Sequence, residues 1–140
     1  MNVDHLHKLW SASDNSRLTT KQLSFRMPVH IAAKIAALCE IYPQKNRTQI
    51  VADLLAAALE ATEESLPTAL GTPVDAAHND AIADQIGRSG EKLYYVGGVK
   101  GRFREVANRH YAALEAELGN SAPRPLYGDD VLTEADLVSK

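Results

Sequence analysis

The sequence predicts a mainly α chain: an intersubunit two-stranded antiparallel ribbon, two helices per chain, and a small C-terminal α+β extension. Three observations carry this reading. Residues 22–28 alternate strictly between polar and apolar, two helix-period apolar patterns follow directly, and from residue 66 onward proline and glycine divide the chain into short pieces.

The alternating stretch reads Gln22-Leu23-Ser24-Phe25-Arg26-Met27-Pro28. Side chains on a strand point to opposite faces at every second residue, so Gln22, Ser24 and Arg26 share one face and Leu23, Phe25 and Met27 the other. Pro28 removes a backbone donor and stops the strand. So short a strand does not persist alone in water, and no second strand follows closely enough to close a hairpin. The economical partner is the same strand of a second copy, which leaves three polar side chains per subunit exposed on the ribbon.

From Val29 to Tyr42 the positions Ile31, Ile35, Leu38, Cys39 and Tyr42 form one apolar face at helical period. Pro43 ends that helix, because the residue before proline is pushed out of the helical region. Asn46 and Gln49 make a capping-box pattern for the next helix. Ile50, Val51, Leu54, Leu55, Ala58 and Leu59 then give an apolar face wide enough for more than one neighbour, and the helix ends between Thr62 and Pro67. Leu23, Phe25, Met27, Ile35, Leu38, Ile50 and Leu54 are the expected dimer core. Ahead of the strand, Leu6, Leu9 and Trp10 fall on one face of a short helix, and residues 11–16 read as a polar arm. His5 and His7 point to different faces of such a helix, so no metal site is expected there.

Beyond residue 65 the patterns weaken. Leu93-Tyr94-Tyr95-Val96 is a strand candidate between Gly90 and Gly97-Gly98, with a partner expected near residues 69–74. Residues 74–86 fit a helix or a loop equally. Gly97-Gly98-Val99-Lys100-Gly101 reads as a flexible turn, since it lacks the spacing and Lys-Ser/Thr ending of a P-loop. Arg102 to Leu118 reads as a helix striped by Phe103, Val106, Ala107, His110, Tyr111 and Leu114, with Glu115 and Glu117 in solvent. The expected organisation is 1–19 N-terminal helix and arm, 20–64 ribbon and two helices, 65–119 extension, and 120–140 flexible acidic tail.

Composition narrows the function classes. The 45% hydrophobic content is normal for a folded chain and argues against wholesale disorder. A single cysteine, Cys39, excludes an internal disulfide framework. No secretory signal and no apolar run of membrane-spanning length is apparent, so a cytoplasmic protein without membrane contact is expected. The net charge of −3 is unevenly spread. Residues 1–50 hold seven Lys/Arg against three Asp/Glu, whereas residues 51–140 hold eight against fifteen. The positive charge therefore sits with the ribbon, and an acidic remainder would weaken non-specific attraction to a polyanion. No nucleophile–base constellation and no phosphate-binding glycine loop is present, so neither enzymatic activity nor a cofactor is expected.

Residues 20–62, under about a third of the chain, resemble the ribbon-helix-helix family of Arc/MetJ type. The resemblance lies in the run from Gln22 to Pro28 and in Asn46-Arg47-Thr48-Gln49-Ile50-Val51, which is similar to the family's start of its second helix. Where the family has glycine before that helix, this chain has Pro43-Gln44-Lys45. The resemblance implies a homodimer or dimer of dimers that binds double-stranded DNA with the ribbon in the major groove, most often as a bacterial repressor.

The side chains suit that role. A two-stranded ribbon fits the major groove, where Arg26 can donate twice to guanine, Gln22 can pair with adenine, and Ser24 can bond to several bases. The N-terminus of the second helix, with Lys45, Asn46, Arg47 and Thr48, suits a phosphate. Two other readings remain open: an antitoxin whose C-terminal extension covers a protein partner, and an oligomerisation module that does not bind DNA.

Overall fold

The computed structural model describes residues 3–6, 10 and 17–138. The chain divides into two compact units, Met1–Glu64 and Ser65–Lys140. It is a mixed α/β protein, which overturns the expected mainly α ribbon-helix-helix dimer. The sheet that defines the class lies in the second unit, and residues 22–28 carry no regular secondary structure. The physical reason is the one that made the strand doubtful alone: among the described residues no strand pairs with this segment.

The first unit is built on α1 (Val29–Ile41) and α2 (Arg47–Ser65). Pro28 stands at the N-cap of α1, where its missing N–H costs nothing, and its carbonyl accepts the Ala32 amide at 3.0 Å. The Tyr42 amide donates to the Leu38 carbonyl at the other end. The Lys45 amide donates to the Tyr42 carbonyl at 3.1 Å, which closes the turn through Pro43. Asn46 and Gln49 then form a reciprocal capping box. The Gln49 amide donates to Asn46 Oδ1 at 2.8 Å, and the Asn46 amide donates to Gln49 Oε1 at 3.0 Å. Asn46→Ala is expected to lower the stability of this unit by about 0.5–2 kcal/mol, read from chemical denaturation followed by helical circular dichroism.

The core of this unit is small. Leu6, Trp10, Ile50 and Ala57 are buried, with Leu38, Cys39, Tyr42 and Leu54 packed against them. The Trp10 ring meets Tyr42 edge to face at 5.2 Å, and its indole N–H donates to Asp53 Oδ2 at 2.8 Å. Asp53 is itself buried on α2, so the N-terminal segment is fastened to the helix by a hydrogen bond as well as by packing. Leu9, His7 and the expected polar arm at 11–16 lie outside the described residues.

The second unit opens with β1 (Ala69–Pro73), followed by α3 (Ala76–Gln85), β2 (Tyr94–Gly97), α4 (Gly98–Glu117), β3 (Val131–Leu132) and α5 (Glu134–Val138). The antiparallel sheet has the order β1-β2-β3. Ala69 faces Gly97 and Leu70 faces Val96, and Tyr94 faces Leu132. The strand expected near Val96 thus finds its partner at residues 69–73, across α3. Asp75 caps α3 by accepting the Ala77 amide at 2.9 Å. That bond, with His78 beside it, holds the Asp75 carboxyl below the ordinary aspartate value. Val74, Ala83 and Leu93 form the buried core, with Ile82, Tyr95 and Val131 against it.

Three sequence expectations fail here. The Gly97–Gly101 stretch is not a loose turn but the end of β2 and the first turn of α4. Gly98 has φ 71°, and a Cβ there would stand 2.9 Å from the Ala69 nitrogen and the Pro67 carbonyl oxygen. Residues 120–138, expected as part of a flexible acidic tail, carry regular structure. They supply β3 and α5, and long-range side chains hold them in place. Arg88 donates to Thr133 Oγ1 at 3.1 Å and ion-pairs with Asp136 at 2.9 Å, while the Asn108 carboxamide bonds both the N–H and the C=O of Tyr127. Glu115, expected in solvent, is buried and accepts the Asn120 carboxamide at 3.1 Å.

Candidate nucleic-acid interface

Residues 22–28 connect the turn around Lys21 to the start of α1. Gln22, Ser24 and Arg26 are exposed, as the sequence reading requires. So are their apolar neighbours: Leu23 is 74% exposed, Phe25 68% and Met27 41%. Those values matter because single exposed apolar residues are ordinary, whereas three within one short segment make an exposed apolar stretch. Val29, at 87%, extends the stretch into α1.

The expected dimer core divides accordingly. Leu23, Phe25 and Met27 are exposed, and Ile35 is half-buried. Ile50 is fully buried in the core of its own chain, with Leu38 and Leu54 packed against that cluster. These three pack with Leu6 and Trp10 of their own N-terminal segment. The sequence reading gave α2 an apolar face wide enough for more than one neighbour, and part of that face is exposed. On α2, Leu55 and Leu59 are one turn apart and exposed, away from the buried Ile50, Asp53 and Ala57. The width of the apolar pattern exceeds what one neighbour can cover.

At the start of α2, Asn46, Arg47 and Thr48 are exposed. The Asn46 side chain is engaged in its cap, so the groups available to an anion are the first-turn amides and the Arg47 guanidinium. Lys45 departs from expectation. It is 5% exposed, so little of it is open to a phosphate. The exposed cations near the segment are Lys21, Lys34 and Arg47, with Arg26 within it.

No family model, curated protein or solved structure matches the chain. Among the described residues no helix is long and apolar enough to cross a membrane.

Proposed function

We propose that the chain is a dimeric, sequence-specific DNA-binding regulator of the repressor type. It presents the exposed segment 22–28 of each copy to the major groove. Gln22, Ser24 and Arg26 read base edges, and the first turn of α2 with Arg47 holds a phosphate. The observation that carries this reading is the exposure of Leu23 and Phe25 beside exposed Gln22, Ser24 and Arg26. An exposed apolar set and a base-reading set in one segment suit a surface that is covered when the chain binds a duplex. The excess of Lys/Arg over Asp/Glu in residues 1–50 supports the same reading, since attraction to phosphate is the sequence-independent part of such binding.

The test is selection of bound duplexes from a random-sequence pool by the full chain, with sedimentation of the complex. The expected result is an enriched motif of two related half-sites bound by an even number of chains. Recovery of no motif, or only salt-sensitive binding without sequence preference, contradicts the reading and favours an oligomerisation module.

A further inference from the structure

Strand β2 has β1 along one edge and, along the other, only the two residues of β3. Tyr94 faces Leu132, Tyr95 faces Val131, and the Val96 amide donates to the Asp130 carbonyl at 3.2 Å. So short a strand does not hold an edge by itself.

The segment around β3 is fastened by side chains from elsewhere in the unit. Arg104 and Asn108, one turn apart on α4, hold the Asp130 carboxylate and the Tyr127 main chain. Arg88, just past α3, reaches Thr133 and Asp136. Leu132 is buried and Val131 packs against the core, which adds a small apolar contribution to these polar fastenings. The rest of the unit does not depend on them in the same way. The pairing of β1 with β2 and the buried cluster of Val74, Ala83 and Leu93 are formed without any residue of this segment. Both ion pairs also reach solvent, so salt weakens them.

We propose that residues 127–138 are a detachable strap, which leaves the β2 edge as one piece while β1, β2, α3 and α4 stay folded. Departure uncovers the edge at Tyr94–Val96, a row of main-chain donors and acceptors of the kind that pairs with an extended segment. It also removes one wall of the open hollow of about 440 Å³ that lies between α4 and α5. The strap is a cover on a strand edge, released by ionic strength without unfolding of the unit beneath. It is independent of the DNA reading, since it lies wholly in the second unit.

The test is hydrogen exchange of single amides, followed by NMR on the full chain. The Val96 and Tyr127 amides are bonded across the strap, to Asp130 and Asn108. The Val74 amide, bonded to the Leu93 carbonyl, and the Tyr111 amide within α4 report the body of the unit. A segment that opens separately exchanges at its own, lower free energy of opening. Val96 and Tyr127 are expected to share one degree of protection, lower by about ten-fold or more than that of Val74 and Tyr111. Added sodium chloride is expected to speed the first pair by about two- to five-fold and to leave the second pair unchanged. Arg88→Gln is expected to speed the first pair by about ten-fold, again without moving the second. Protection of Val96 equal to that of Val74 and Tyr111 overturns the proposal, and this comparison needs no variant. So does equal acceleration of both pairs by salt or by Arg88→Gln, which makes the segment part of one cooperative body.

Discussion

Arg26→Ala is expected to lower affinity for a selected duplex by about 1–3 kcal/mol for each copy of the chain and to relax the base preference at the position it reads. At about 1.4 kcal/mol per ten-fold, a dimer that loses both contacts falls by one to several orders of magnitude. The cause is the planar guanidinium, which donates two hydrogen bonds to one guanine edge. Lysine at the same place restores charge without that geometry, so Arg26→Lys recovers affinity but not selectivity. Arg47→Ala is the matched control. It is expected to weaken all duplexes alike and to reduce the salt slope by about one, as loss of a phosphate contact does. The measurement is fluorescence anisotropy of labelled duplexes over a salt series. Unchanged binding by Arg26→Ala removes residues 22–28 from the interface. Because Arg26 is exposed and sits outside every helix and strand, the substitution leaves the fold untouched and the result is readable.

Trp10→Ala is expected to be the most destabilising single change in the first unit, by about 3–5 kcal/mol, because it empties the space occupied by a large buried side chain. Trp10 is 4% exposed, and Leu6 and Ile50 share its cluster. The hydrogen bond to Asp53 can be separated from the packing. Trp10→Phe keeps most of the ring but leaves a buried carboxylate without its indole donor, at a cost of about 1–3 kcal/mol. Adding Asp53→Leu removes the orphaned charge, so the double variant should recover part of that loss. Denaturant unfolding followed by circular dichroism reads all three variants. If Trp10→Ala unfolds at the same denaturant concentration as the parent chain, the N-terminal segment is an accessory and not part of the core.

The sequence expressed its local structure well and its long-range structure poorly. The stop at Pro43 and the box between Asn46 and Gln49 are decided within four residues, and both are present in the fold. The pairing of residues 69–73 with the strand at Tyr94–Gly97 was readable from glycine and proline punctuation. What stayed hidden depends on partners far along the chain. β3 has two residues, too few for any pattern, and stands only because Tyr94 and Tyr95 offer an edge. The acidic stretch from Asp129 to Asp136 looks like a solvated tail until Arg88 and Arg104 are placed beside it. Lys45 misled for the same reason. A lysine at a turn is ordinarily solvated, and nothing nearby announces burial. For the candidate interface, the order of residues 22–28 was legible, and so was the start of α2. The division of the apolar residues between an internal core and an exposed surface was not, because it turns on where Trp10 packs.

Asn108 grips Tyr127 only through main-chain atoms, taking its N–H at 2.8 Å and its C=O at 3.0 Å. A grip of that kind is indifferent to side-chain identity. The neighbouring residues Leu126, Gly128 and Asp129 are all exposed and can be rewritten while the loop keeps its path. Gly128 and Asp129 also border a second hollow next to the one between α4 and α5, and the two share Arg104 and Asp130. One asparagine therefore fixes the path of this loop through its backbone, which leaves the exposed side chains of Leu126 and Asp129 open to change without rebuilding the scaffold beneath them.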